Sequence, residues 1–331
     1  MNRFRCFALS FTLLVACGDD SAPVDAGGDA PSDAGVDAAV DASPDAGSDA
    51  ASDAADAAAD VFDAGSACGS ARPDISGISG TEGLIIGRDG TLYYSQRGAV
   101  GRLDPDGVQT DRWVVLGGGS GTVWGMVLDA DNETLYVGSP GEGAVFAIDL
   151  TAATPAAVVA FVAEAPNGLT LGEDGALYFT EFNAGAVMRA APGEAPTEVT
   201  TSGIAGANGL AFGPDGALYV ASFSSGNLIR LVLDGLVEGA RSIHATGLGS
   251  PDGVAFDAAG RIWVSDNGGR KLIRLEADGT GPVDTLTGVR QAASVEFGAG
   301  PLDCTDIYVA SGGTLARYED NDEPGASVPW H

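Results

Sequence analysis

One repeat governs residues 78–320 of this chain. The groups Thr81-Glu82-Gly83-Leu84, Val123-Trp124-Gly125-Met126, Pro166-Asn167-Gly168-Leu169, Ala207-Asn208-Gly209-Leu210, Pro251-Asp252-Gly253-Val254 and Ala292-Ala293-Ser294-Val295 align, and their third residues are spaced by 42, 43, 41, 44 and 41 positions. A period of this length marks an array in which each unit buries its apolar face only against its neighbours. Within each unit a short apolar run such as Gly209-Leu-Ala-Phe212 is followed by a turn, Gly213-Pro-Asp-Gly216, and a second run, Ala217-Leu-Tyr-Val-Ala-Ser222. Asp-Gly between alternating apolar residues is a hairpin signal. Gly87-Arg-Asp-Gly90, Gly172-Glu-Asp-Gly175 and Asp257-Ala-Ala-Gly260 repeat the turn, and two further runs, as in Asn227–Leu231 and Ser242–Ala245, complete the unit.

Four strands in about 42 residues, repeated, describe a β-propeller blade. The expectation is an all-β, six-bladed β-propeller with four antiparallel strands per blade. A ring of blades closes on itself and leaves no long free edge. The 50 glycines suit short strands and tight turns rather than a helical bundle.

In a propeller the first strand of every blade lines the central channel, so residues at its start converge on one small volume. The residue before each repeated Gly or Ser is Glu82, Trp124, Asn167, Asn208, Asp252 and Ala293. Four of these are oxygen donors, although the strands that follow are apolar. Two carboxylates and two amides suit a hard divalent cation, calcium first, with Zn2+, Mg2+ or Mn2+ as alternatives. The bland alternative is that Asn-Gly and Asp-Gly simply start strands well and cap backbone groups. Two histidines in the whole chain, His244 and His331, leave no room for a histidine-ligated zinc centre.

The order Glu82-Gly83, Asn167-Gly168-Leu169, Asn208-Gly209-Leu210 and Pro251-Asp252-Gly253, in blades one, three, four and five, resembles the gluconolactonase / senescence marker protein family. That resemblance covers the repeat region. It implies a six-bladed propeller whose single divalent metal is held by Glu82, Asn167, Asn208 and Asp252, and hydrolysis of a lactone or related ester. The metal would act as Lewis acid and Asp252 as ligand and general base. Trp124 would form an apolar wall, and Glu181 and Asp266, at the ends of second strands, would line the substrate pocket. The chain departs from the family pattern at Leu84 after Gly83 and at Glu164-Ala-Pro166 before Asn167, where family members often carry Pro and Arg respectively. The missing Arg weakens the case for a sugar lactone. Two other readings stand beside this one. The first is a non-catalytic surface binding propeller of the NHL type. The second is a streptogramin-lyase type enzyme, which Gly172-Glu-Asp-Gly-Ala-Leu-Tyr-Phe-Thr-Glu181 resembles but which calls for histidines near the metal.

Ahead of the repeats lie two segments of different character. Residues 1–16 read as a bacterial lipoprotein signal: Arg3 and Arg5, an apolar stretch from Phe7 to Ala16, and Leu14-Val15-Ala16-Cys17, which resembles a lipobox. Cys17 would take the lipid; the alternative is an ordinary secretory signal with a chance cysteine. Residues 17–67 are a spacer in which Asp recurs every four positions from Asp25 to Asp53 among Ala, Gly, Ser and Pro. With almost nothing to bury and like charges throughout, a disordered tether is expected. Residues 68–331 form the propeller domain. Of the four cysteines, Cys6 leaves with the signal, so Cys68 and Cys304 remain, and an exported chain favours a bridge between them over two buried thiols.

The net charge of −30 disfavours nucleic acid as a partner, because phosphates would meet a like-signed field. The expected partner is a small-molecule substrate, with membrane contact only through the N-terminal lipid. The expected state is a monomer in the bacterial cell envelope, lipid-anchored.

Overall fold

The computed structural model describes residues 68–79, 82–200, 203–319 and 321–326. The signal, Cys17, the spacer and His331 lie outside the described residues. Those described form 23 β-strands and no helix.

The strands group into six antiparallel sheets, each taken consecutively from the chain. The first strands are Leu84–Ile86, Met126–Leu128, Pro166–Leu171, Ala207–Phe212, Pro251–Phe256 and Ala292–Phe297. They pack against one another in order around a ring, and first strand six packs against first strand one. The six-bladed propeller is therefore the architecture. Six apolar clusters lie between neighbouring blades. One joins Ile85 of blade one to Met126, Leu135 and Phe146 of blade two, and another joins Leu84 and Tyr94 of blade one to Ala293 and Tyr308 of blade six. Each fully buried large side chain in these clusters contributes about 1.5–3 kcal/mol.

The turn chemistry follows the sequence. In Gly213-Pro-Asp-Gly216 the Asp215 Oδ1 accepts the Ala217 N–H at 3.2 Å, and Gly216 takes φ of 72°. The short Asp side chain closes the turn and Gly tolerates the left-handed backbone. Asp174 and Asp89 repeat this, accepting from Ala176 and Thr91. Arg230 and Arg189, on third strands, pair with the turn carboxylates of Asp215 and Asp174 at 2.6 Å each.

Blade six departs from the expected four strands. Among the described residues it has three, Ala292–Phe297, Ile307–Ser311 and Thr314–Tyr318. The chain beyond them is Glu-, Asp- and Asn-rich and holds Pro324, so it has no alternating apolar face to lay against Thr314–Tyr318. It crosses instead to blade five: Ala326 N donates to Phe256 O at 2.9 Å, and Arg261 binds Asp322 at 2.7 Å. On the other side, the segment before blade one docks on blade six. Cys68 and Cys304 are bonded with a Cα separation of 5.5 Å, Ala71 N donates to Pro301 O at 2.9 Å, and Arg72 grips the buried Asp306 at 2.7 Å.

Candidate metal centre

The repeated glycines are explained by contact between blades. A Cβ on Gly168 would come within 2.6 Å of Asn208 O, and one on Gly253 within 2.5 Å of Ala293 O. Gly83, Gly125 and Gly209 meet the carbonyls of Trp124, Asn167 and Asp252 in the same way. The sixth link lacks a glycine; there Ser294 N donates to Glu82 O at 3.2 Å. Each blade's third residue thus abuts the second residue of the next blade. Glu82, Trp124, Asn167, Asn208, Asp252 and Ala293 form one closed backbone ring. At the five glycine links no side chain fits between neighbours, which draws the strand starts tightly together.

Hydroxyls from second strands hold this ring. Thr180 Oγ1 accepts from Gly168 N at 2.9 Å and donates to Asn208 O at 2.7 Å. Ser265 Oγ accepts from Gly253 N at 2.7 Å and donates to Ala293 O at 2.5 Å. Ser95 Oγ accepts from Glu82 N and Gly83 N at 2.8 and 2.9 Å.

Around the ring the side chains of Asn167, Asn208 and Asp252 are buried and that of Glu82 is half-buried. Asp252 is held well above the usual carboxylate range, first by burial and then by the negative charge of Glu82; donors from Asn267 and Asn208 pull it partly back. Burial also raises Glu82. The Asn267 contact is short, with Nδ2 3.0 Å from Asp252 Oδ2. Asn208 Oδ1 is buried and has no hydrogen-bond partner. Asn167 belongs to the ring through its backbone, its carbonyl accepting the Gly125 N–H at 3.0 Å.

Glu181 and Asp266, expected to line the pocket, do other work. Glu181 accepts the backbone N–H groups of Glu164 and Ala165 at 2.9 and 2.6 Å. Asp266 Oδ1 accepts those of Ser250 and Gly269 at 2.9 and 2.8 Å. Each carboxylate pins the approach to a first strand, with both oxygens of Glu181 and Oδ1 of Asp266 accepting backbone N–H groups. Trp124, by contrast, lines a mouth cavity of about 510 Å³ together with Glu82, Arg97 and Gly312. A second cleft of about 400 Å³, lined by Arg88, Asp89 and Asn132 among others, opens on the turn side of blades one and two and shares no residue with the ring. His244 sits on the outer strand of blade four, its ring against Tyr219 at 5.0 Å.

Reading the repeat only at the residue before glycine overlooks Asn267, Phe182, Phe223 and Arg97. All four occupy one further repeat position, the residue just after the second strand, where blades one to six carry Arg97, Pro140, Phe182, Phe223, Asn267 and Gly312. Aligning second strands as well as first strands finds them.

The comparisons with known proteins agree with the propeller fold. No curated protein matches the chain. Among solved structures, a gluconolactonase from Xanthomonas campestris is 22% identical, covering 76% of this chain and 88% of that one, with a TM-score of 0.62. Regucalcin from Agrobacterium tumefaciens strain C58, a calcium-binding protein, is 19% identical, covering 79% and 97%, with a TM-score of 0.63. Virginiamycin B lyase from Staphylococcus aureus is 18% identical, covering 75% and 84%, with a TM-score of 0.52. At these identities the likeness is one of fold. The family model for the SMP-30/gluconolactonase/LRE-like region matches residues 80–313, most of the chain, from the first blade through the second strand of the sixth, and the protein is a member of that family.

Proposed function

We propose that the protein is a lactonase-type hydrolase that opens a lactone or related ester at a divalent cation held by Glu82, Asn167, Asn208 and Asp252. One observation carries this reading: the buried carboxylate of Asp252 lies within reach of the like charge of the half-buried Glu82, with no basic side chain offsetting it. Beside them stands Asn208 Oδ1, a buried acceptor without a donor. Uncompensated carboxylates and an orphaned amide oxygen are costly unless something positive occupies the space between them. An oxygen-only donor set with two negative charges fits calcium, and Mg2+, Mn2+ or Zn2+ are weaker fits.

When bound, such a cation supplies Lewis-acid polarisation of the ester carbonyl and balances the charge of the carboxylates. Asp252 then receives a proton from the attacking water, and Asn267 keeps its Oδ2 fixed in orientation. Trp124 walls the mouth beside Glu82 and limits water there. Thr180, Ser265 and Ser95 hold the backbone from which the four side chains project, so the donor geometry is set before any ligand arrives.

The test is calcium-dependent hydrolysis of a lactone panel by the purified full chain, beside Asp252→Ala. Loss of turnover in the variant with retained folding supports the reading; turnover that survives it removes Asp252 from the mechanism. Calorimetric titration with calcium checks the ligand set separately. A lyase reading lacks support in the placement of His244, which lies on an outer strand with Nε2 3.2 Å from Ala277 O. The export signal and Cys17 anchor belong to the same proposal: a lipid-tethered hydrolase of the bacterial cell envelope, checked by labelled fatty-acid incorporation that Cys17→Ala abolishes.

A further inference from the structure

Trp124, Phe182 and Phe223 come from three successive blades and touch edge to face. Ring centroids are 5.9 Å apart for Trp124 and Phe182 and 6.0 Å for Phe182 and Phe223, with interplanar angles of 64° and 67°. All three remain half-buried, whereas Trp263, Tyr94, Tyr308 and Phe179 of the inter-blade clusters are fully covered. Their placement relative to the oxygen donors follows from the repeat. Phe182 N donates to Ala165 O at 3.1 Å, Phe223 N to Gly206 O at 2.9 Å, and Asn267 N to Ser250 O at 3.0 Å. In each case the acceptor lies two residues before the ring residue, so the three positions are equivalent. At the third of them the side chain reaches Asp252 at 3.0 Å. The same position in blades three and four therefore puts Phe182 and Phe223 beside Asn167 and Asn208. Trp124 closes the arc next to Glu82 in the mouth cavity.

The mouth is thus divided. Blades two to four present a continuous aromatic arc, with Ser120 and Thr122 lining the cavity beside Trp124. The opposite side carries Asn267 and Arg97 and is left open at Gly312 and Gly313. Any hydroxyl of a polyhydroxylated ring that meets the three aromatic side chains would lose water without gaining a partner, at roughly 1–3 kcal/mol each. An aryl or alkyl group there loses only water and gains ring contacts. We propose that the substrate is a lactone carrying an aromatic or aliphatic substituent, seated on Trp124, Phe182 and Phe223, and that sugar lactones are disfavoured. This deepens the lactonase reading and rests on it for turnover, though not for binding.

The test has two arms. The first measures binding to the calcium-loaded full chain of two lactams that cannot be hydrolysed as esters, 3,4-dihydroquinolin-2-one and δ-valerolactam. The aryl lactam is expected to bind at least about ten-fold more tightly, the scale of discrimination an apolar pocket supplies. Phe182→Ala with Phe223→Ala should erase that preference while the thermal midpoint moves little; Phe182→Leu, which keeps apolar volume, serves if the alanine pair fails to fold. Equal affinity for the two lactams, or a preference untouched by the variants, overturns the proposal, and the rings are then packing residues. The second arm compares dihydrocoumarin with δ-gluconolactone. Higher kcat/KM for the aryl lactone supports the proposal. Higher kcat/KM for gluconolactone overturns it and leaves the hydrolase reading standing. Turnover of neither, with the aryl lactam still bound, defeats the hydrolase reading and leaves the apolar mouth in place.

Discussion

Asn267 Nδ2 lies 3.0 Å from Asp252 Oδ2, joining the end of one blade-five strand to the start of another. The pair is fifteen residues apart in sequence and meets because the hairpin returns to the mouth from which it began. A donor on the back of a prospective metal ligand fixes which way that ligand faces, and replacing such partners costs about 10–100-fold in metal affinity. Asn267→Ala should weaken calcium binding by that amount with little change in the thermal midpoint of the calcium-free protein. Calorimetric titration and a melting curve separate the two effects; an unchanged Kd would make Asn267 a purely structural residue.

The ring of strand starts makes a contrasting pair of substitutions informative. A Cβ on Gly209 would overlap Asp252 O, whereas Ser294 already carries a side chain at the sixth link. Gly209→Ala should destabilise by more than about 2 kcal/mol and displace Asp252. Ser294→Gly should cost less than about 1 kcal/mol. Urea titration of both variants measures the difference, and similar midpoints would mean that the ring does not depend on its glycines.

Glu296, on the first strand of blade six, has its carboxyl raised to about 8 by burial alone. Its unfolded value is the ordinary 4.5, so between these two pH values the unfolded chain releases a proton that the folded one keeps. Stability attributable to this group is therefore present below about pH 4.5 and lost as pH rises towards 8. Glu296→Gln should be more stable than the parent at pH 9 by roughly 1–3 kcal/mol, less than the full linkage because the residue keeps some access to solvent. It should match the parent near pH 4. Thermal midpoints across the pH range give the answer, and parallel curves for the two proteins would rule the effect out.

The closure of the ring predicts a redox-dependent stability. Cys68 and Cys304 enclose a sequence separation of 236, and the bond joins the segment before blade one to the three-stranded blade six. Chain entropy alone assigns such a loop on the order of 5 kcal/mol, with about 2–5 kcal/mol usual for loss of a native bridge. Reduction or Cys304→Ala should lower the melting midpoint by that measure. Arg72 and its contacts to Asp303 and Asp306 should keep the segment docked. Adding Arg72→Ala to the cysteine variant should release it, seen as new protease cleavage near residues 69–79.

The sequence by itself determined the number of blades, the hairpin turns and the six residues at the strand starts. These are local and repetitive: Asp-Gly turns and apolar alternation act within one hairpin, and six copies of one pattern reinforce the reading. What it left open depends on contacts between units. Glu181 and Asp266 look like pocket carboxylates in a linear reading, and only the fold shows backbone N–H groups meeting their oxygens. The missing outer strand of blade six was equally hidden, because the choice between pairing with that blade and crossing to blade five rests on Phe256 and Arg261, far away in the chain. Tertiary structure also decided why the repeated residue is glycine, since the atom that forbids a side chain there belongs to the next blade. The same is true of the mouth: three aromatics 58 and 41 residues apart become one surface only when the blades stand side by side.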